Sequence, residues 1–455
     1  MDTGQSLTQA PIPKLIRKIA LPASIGFFFN TMYNVVDTYF GGLISTQVVA
    51  ALSLSFPVFF VIIALGSGMA TGATALIATA TGEDNSHAAR VFAVQSVTCG
   101  ILLSAMLTPV GMLISPFLFS LLGASERYLE ICLSYMNVIF WGAVFFMQTY
   151  MLNAILNAHG NTKPYRNFLI FGFCMNVVLD PWFIYGGLGV PPMGTAGIAL
   201  ATVVVQGMGC IYLGAKVLES GFLGGMTWRE FLPDRKALRE IIRQGLPASS
   251  NTLTVGIGIF IITWFISKFG KEAVAAYGIA TRIEQIALLP TIGLNIATLT
   301  IVAQNNGARR NDRIHETIKT ALQYGAVLML VGGVCVFTFS GKLMDFFTSD
   351  PMVRQMGQSY LRVASFVLYA YSVLYIHVAA LQGIKRPMFA IWIGLYRQIA
   401  APCIVFYIMI YWFDSGILGI WWGIFAVTWS ATAVTYFYAH KIIRNNSGIS
   451  LDQPV

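Results

Sequence analysis

Twelve apolar runs, each long enough to cross a bilayer as a helix, constrain this chain more than any other feature. They fall at residues 15–41, 51–77, 91–115, 130–153, 167–185, 195–217, 243–267, 276–301, 317–340, 357–380, 388–411 and 418–440. A helix needs about 20 apolar residues to span the hydrocarbon core. Backbone groups in lipid must be bonded within their own segment, and barrel strands would alternate polar with apolar residues, so helices are the expectation. Of the 455 residues 56% are hydrophobic and 10% charged, whereas a soluble domain carries about 25% charged residues. The predicted fold is an all-α integral membrane protein with twelve transmembrane helices.

The net charge of +9 raises the question of nucleic acid, but its distribution points to topology instead. With twelve spans the termini and all even-numbered loops share one side. That side takes 21 of the 28 basic residues, among them Arg17, Lys163, Arg239, Arg310, Lys319, Arg397 and Lys441. Five lie opposite, and Arg282 and Arg362 fall inside helices. Basic loops face the cytoplasm, so both termini are expected there. Residues 1–14 are polar and the first apolar run is too long for a signal-peptide core, so no cleaved leader is expected. The six cysteines at 99, 132, 174, 210, 335 and 403 form no CxxC pair and read as small packing residues, with neither disulfides nor a metal site implied.

The chain is internally duplicated. Leu21-Pro22-Ala23-Ser24 returns as Leu246-Pro247-Ala248-Ser249, an offset of 225. The same offset joins Gly68 to Gly293, Gly82 to Gly307 and Ser134-Tyr135 to Ser359-Tyr360, and with small gaps Gly160…Pro164 answers Gly383…Pro387. Six helices per half give both halves one orientation, hence parallel repeats about an axis along the membrane normal. The predicted organisation is an N-terminal lobe at 1–217, a cytoplasmic linker at 218–242, a C-terminal lobe at 243–440 and a tail at 441–455. Two pseudo-symmetric six-helix lobes around a central cleft suit alternating access; a static two-lobed scaffold or channel is the blander reading.

Duplication also supplies an internal control, because polar residues needed for folding should recur in both halves. Asp37 stands in the first apolar run after Asn30 and Asn34 at helical spacing, and its counterpart is Ile262. Asn176 and Asp180 lie four apart in the fifth run, and at an offset of about 223 face Ile399 and Cys403. A carboxylate at mid-membrane costs about 2.5–3.5 kcal/mol on insertion scales. Asp37, Asn176 and Asp180 are therefore expected to meet inside the N-terminal lobe, with Thr202, Tyr33 and Asn34 in support. Two carboxyls in an apolar surround can share or exchange a proton near neutral pH, and the same oxygens with an amide carbonyl could hold Na⁺. The alternative is a polar cluster that only stabilises the fold. Pro22, fifteen residues before Asp37, predicts a bend, either a working hinge or a fixed kink.

Other intramembrane polar residues carry weaker expectations. Arg282 and Glu284 would pair with each other or with tyrosines, and His377 would be a hydrogen-bonded core residue. Tyr150, Asn153, Asn157, Tyr369, Tyr371 and Tyr375 could line a cavity or simply pack. No nucleophile–base pair, metal motif or phosphate loop stands in a suitable context, so an enzyme is not expected.

Taken in order, the paired Leu-Pro-Ala-Ser segments, Asn34-Val-Val-Asp37, the Gly-x-x-x-Pro turns and Asn176-x-x-x-Asp180-Pro181 resemble the multidrug and toxic compound extrusion (MATE) family over nearly the whole chain. The paired acids in helices 1 and 5 resemble its DinF-like prokaryotic branch. The NorM branch relies on acids in helices 7 and 10, which are missing here. The resemblance implies an exporter in the bacterial inner membrane, monomeric and without a cofactor. It would exchange H⁺, or alternatively Na⁺, for cationic or amphipathic drugs. Asp37 would carry the ion, Asn176, Asp180 and Thr202 would complete the site, and helix 1 would bend at Pro22 upon protonation. A flippase for lipid-linked saccharides is a further alternative; such proteins favour basic cavities, whereas the interior signature here is acidic.

Overall fold

The computed structural model describes residues 7–221 and 227–446. Residues 222–226 of the expected linker and 447–455 of the expected tail lie outside them. Fifteen α-helices are described: α1 (Ile12–Ile44), α2 (Thr46–Gly82), α3 (Ser86–Leu121), α4 (Glu126–Trp141), α5 (Ala143–Ala158), α6 (Lys163–Tyr185), α7 (Thr195–Glu219), α8 (Arg235–Ser267), α9 (Lys271–Gly307), α10 (Asn311–Asp345), α11 (Pro351–Ala364), α12 (Leu368–Gly383), α13 (Met388–Leu395), α14 (Ala401–Tyr411) and α15 (Gly416–Asn446). Among the described residues the sole β-pairing is an isolated bridge between Gly187 and Val190.

Ten helical stretches are long and apolar enough to cross a membrane, with α13 and α14 counting as one, and two bent pairs bring the number to twelve. The all-α, twelve-span reading therefore holds, with a refinement. The runs at 130–153 and 357–380 are each a broken helix: α4 meets α5 at 47° and α11 meets α12 at 51°. Both breaks fall at the same place in the repeat, at Gly142 and at residues 365–367. A one-turn π-helix at Tyr396–Ala400 joins α13 to α14. Pro402 follows it; a proline removes one backbone donor and crowds the preceding turn, which favours such a local rearrangement.

The duplication is visible in backbone geometry. Asp84 and Arg309, 225 residues apart, both take left-handed φ values, 53° and 55°. Gly160 and Lys385 do the same at 70° and 61°. The offset of 225 thus persists through the turn that residue identities alone align at 223. On that register Asn176 and Asp180 correspond to Ala401 and Val405 rather than Ile399 and Cys403. The counterparts change, but they remain without a carboxyl group.

The helices gather into two compact units. One comprises Ile25–Ser249; the other comprises the described residues of Met1–Ser24 and Ser250–Val455. The units therefore cut across the lobes expected at 1–217 and 243–440. The start of α1 packs with the second half, and the start of α8 packs with the first. The paired Leu-Pro-Ala-Ser segments sit at these crossings, with Pro22 and Pro247 each three residues before the new unit begins.

Close packing explains the duplicated glycines. A Cβ on Gly68 would meet the backbone nitrogen of Ser249 at 2.2 Å, and one on Gly293 would meet the Ala20 carbonyl at 2.3 Å and Ser24 Oγ at 2.2 Å. Each contact lies within one unit, and each presses α2 or α9 against the proline-bearing helix contributed by the other half.

In the first unit Phe119, Met136, Ile139, Met147 and Ile198 are fully buried and centre the core. Part of the linker is folded onto α3: Gln95 Nε2 donates to the carbonyls of Glu230 (2.9 Å) and Leu232 (2.8 Å), and Gln95 Oε1 accepts from Asp234 N at 3.0 Å. In the second unit Arg313 Nε donates to Asn305 Oδ1 at 3.1 Å and Arg313 Nη2 donates to the Ala10 carbonyl at 2.5 Å, fastening the chain ahead of α1.

Candidate functional site

Asp37, Asn176 and Asp180 meet inside the unit formed by Ile25–Ser249. Asp37 comes from the later part of α1; Asn176 and Asp180 share one face of α6, and both are fully buried. Asn176 Nδ2 donates to Asp37 Oδ1 at 2.9 Å and to Asp180 Oδ1 at 3.0 Å. One amide thus spends its nitrogen on two carboxyls, and those carboxyls also interact with each other. Thr202, buried on α7, donates to the Ile198 carbonyl of its own helix at 3.1 Å and lies beside Asp37.

Three oxygens in this cluster have no hydrogen-bond partner among the described residues: Asp180 Oδ2, Asn176 Oδ1 and Tyr33 Oη. Among the described residues no basic side chain enters the set. Two negative charges joined by one neutral amide, away from water, are expensive to hold. Neutralising one of the carboxyls, with a proton or a small cation, would relieve that expense.

Asn34 does not join them. It is exposed, and its Nδ2 donates to the Asn30 carbonyl one turn back, at 2.9 Å. Three residues separate it from Asp37, about 300° of rotation, which leaves the two on adjacent rather than coincident lines of the helix. Pro22 is buried, but it belongs to the other compact unit, so α1 carries it and Asp37 in different packing environments.

Tyr135 of α4 is a neighbour that sequence reasoning passed over: it is buried, and close enough to feel the charge of both Asp37 and Asp180. Its signal was present, because Ser134-Tyr135 repeats as Ser359-Tyr360, but the pair served only to keep register. Tyr360, its counterpart in the other unit, goes further, donating its hydroxyl to Glu284 Oε2 at 2.5 Å. Glu284 thus pairs with a tyrosine, while Arg282 is exposed on the helix surface.

The charge of Arg397 is also relocated. Counted with the basic side, it is buried in the π-helix within the span Met388–Tyr411. Its guanidinium lies 5.3 Å and 5.9 Å from the ring centres of Tyr371 and Tyr375, with Glu284 as a longer-range counter-charge. Asn153 and Asn157 are buried on α5. His377 is buried, and its Nδ1 donates to the Val373 carbonyl at 2.7 Å, as a core histidine should. All six cysteines are free, and no group of three metal-binding side chains occurs among the described residues.

The MatE family profile matches residues 22–182 and 247–401, two stretches that open on Pro22 and Pro247 and follow the duplication. The chain belongs to the MATE family. It is a multi-pass membrane transporter, not an enzyme. Among its relatives is an FAD transporter of Shewanella oneidensis, 27% identical, covering 88% of both chains. Another is a probable multidrug resistance protein NorM of Thermotoga maritima, 26% identical over 91% of this chain and 89% of that one. The outward-facing structure of a multidrug resistance MATE family transporter of the MOP superfamily aligns with a TM-score of 0.91 at 25% identity, over 99% of this chain and 100% of that one. The transporter shares its fold with that protein from end to end.

Proposed function

We propose that this MATE transporter is a proton-coupled exporter of lipophilic cationic drugs, resembling the DinF-like branch, with Asp37 as the coupling carboxyl. The observation that carries this reading is the single Asn176 amide holding Asp37 and Asp180 together with three oxygens left open. Protonation removes negative charge from the site and weakens its hold on a cation, which leaves outward. Loss of the proton to the cytoplasm restores the carboxylate for the next cargo. Each pH unit supplies about 1.4 kcal/mol per proton, and the membrane potential adds about 2.3 kcal/mol per charge per 100 mV. Pro22 gives α1 a bending point just before it enters the unit that holds Asp37, so the charge state of Asp37 would be felt as helix curvature. The basic side faces the cytoplasm of a bacterial inner membrane, the working unit is a monomer, and no cofactor takes part.

Na⁺ at the same three oxygens is the second reading of the coupling ion. For the cargo, Arg397 beside two stacked tyrosines favours an anionic alternative, in keeping with the FAD transporter among the relatives. A lipid-linked saccharide flippase would want a basic site, and the site beside Asp37 is acidic.

Proteoliposomes with separately imposed H⁺ and Na⁺ gradients test the reading. Ethidium should exchange under a proton gradient in sodium-free buffer, and FAD should not. Exchange that requires Na⁺ would replace the proton; exchange of FAD alone would replace the cationic cargo.

A further inference from the structure

Outside the acidic site, three histidines converge on one groove. It has a volume of about 440 Å³ and lies within the second unit, between α10, α12 and α15. Its α10 wall is one helix face running from His315 and Lys319 through Leu322 to Ala326. α12 contributes Tyr369 and His377, and α15 contributes Tyr436 and His440.

The groove is graded in polarity. Lys319 and His315 stand in the opening turns of α10, and His440 in the closing turns of α15, all at the basic end of the spans. Farther along, exposed apolar side chains flank it: Val327 and Leu330 on α10 and Phe437 on α15, each more than 60% exposed. Those residues lie on helices long and apolar enough to cross a membrane, where hydrocarbon can cover them. A ligand entering from the side therefore meets lipid-like surroundings at one end and a positive, hydrogen-bonding pocket at the other.

The hydrogen bonds fix what the pocket offers. His315 Nδ1 donates to the Asn311 carbonyl at 2.9 Å and His377 Nδ1 to Val373 at 2.7 Å. In both rings Nε2 remains to accept from a hydroxyl or, when protonated, to donate to an anion. The rings of His377, Tyr436 and His440 form a row, with centroids 5.4 Å and 5.5 Å apart. Among the described residues no carboxyl lines the groove. The nearest acids of α10 attend arginines: Asp312 lies 3.7 Å from Arg310, and Glu316 acts on Arg313.

We propose that this groove binds an anionic phospholipid of the bilayer, with the phosphate at Lys319 and the phenol hydroxyls, headgroup hydroxyls at the histidine Nε2 atoms, and the acyl chains along Leu322 and Ala326. The lipid is a ligand of the fold and stands apart from the proton site, so its binding is read without any transport assay.

Native mass spectrometry of the full-length protein titrated with dioleoylphosphatidylglycerol or dioleoylphosphatidylcholine tests this directly. The wild type should retain phosphatidylglycerol preferentially. A Lys319→Gln/His440→Gln double variant changes only exposed side chains and should cut that retention by roughly fivefold or more. Lys342→Gln, at the opposite end of α10, should leave it intact. Equal retention of the two lipids, or undiminished retention in the double variant, would overturn the proposal. So would displacement of the lipid by soluble glycerol phosphate, which would make the ligand a free phosphate compound.

Discussion

Asn176 and Asp37 stand 139 residues apart and touch at 2.9 Å, through an amide that also serves Asp180 at 3.0 Å. That one side chain ties α1 to α6 and forces two carboxyls into a common environment. Asp37→Asn keeps the shape and an acceptor for the Asn176 amide while removing the ionisable group. The variant should reach the membrane at normal levels and lose ethidium export driven by a proton gradient by tenfold or more, on the order expected for removing an essential proton carrier. Undiminished efflux would remove Asp37 from the mechanism.

The two duplicated tyrosines should separate by function. Tyr360→Phe deletes the hydroxyl that donates to Glu284, a hydrogen bond worth about 1.5–3 kcal/mol where the acceptor is charged. We expect a lower thermal midpoint with export largely retained. Tyr135→Phe acts beside Asp37 and Asp180, and should shift the pH profile of export more than the midpoint. Identical effects of the two substitutions would contradict a one-sided site.

Gly68→Ala and Gly293→Ala should each destabilise by about 1–3 kcal/mol, because the new Cβ meets backbone atoms that cannot swing aside. Gly332→Ala on α10, where nothing lies within 4 Å, is the control and should gain about 0.5–1 kcal/mol. Size-exclusion profiles after heating in detergent would rank the three.

His159, just beyond α5, is pushed down from 6.5 to about 4 by burial, partly offset by its hydrogen bond to the Ile155 carbonyl. Between those values the unfolded chain takes the proton and the folded chain does not. Stability should therefore fall as pH drops from about 6.5 to about 4. His159→Gln should flatten that part of the midpoint-versus-pH curve; an unchanged slope would show that other groups set it.

Much of the site was legible in the chain because duplication exposes what is unequal. Asp37, Asn176 and Asp180 stood out as polar residues without polar counterparts, and helical spacing put the last two on one face. Asn34 was misplaced because four-residue spacing aligns it with Asn30, and a side chain that bonds back to its own helix has no need of a distant partner. Tyr135 and Arg397 escaped notice for a different reason. A tyrosine common to both halves looks structural, and an arginine in a basic chain looks like topology, until packing shows which carboxyl or ring each one meets.

By itself the sequence determined the solvent, the element type, the number of spans, the repeat and the asymmetry of its charges. These follow from local hydropathy and from register along one chain, both of which survive without knowing any long-range contact. Only the tertiary structure decided that the first helical segment of each half packs with the other half, that α4–α5 and α11–α12 break, and that one amide bridges two carboxyls. Those outcomes depend on which surfaces approach closely enough to exclude a single Cβ. That is a property of helices brought together from positions about two hundred residues apart, and no window of sequence contains it.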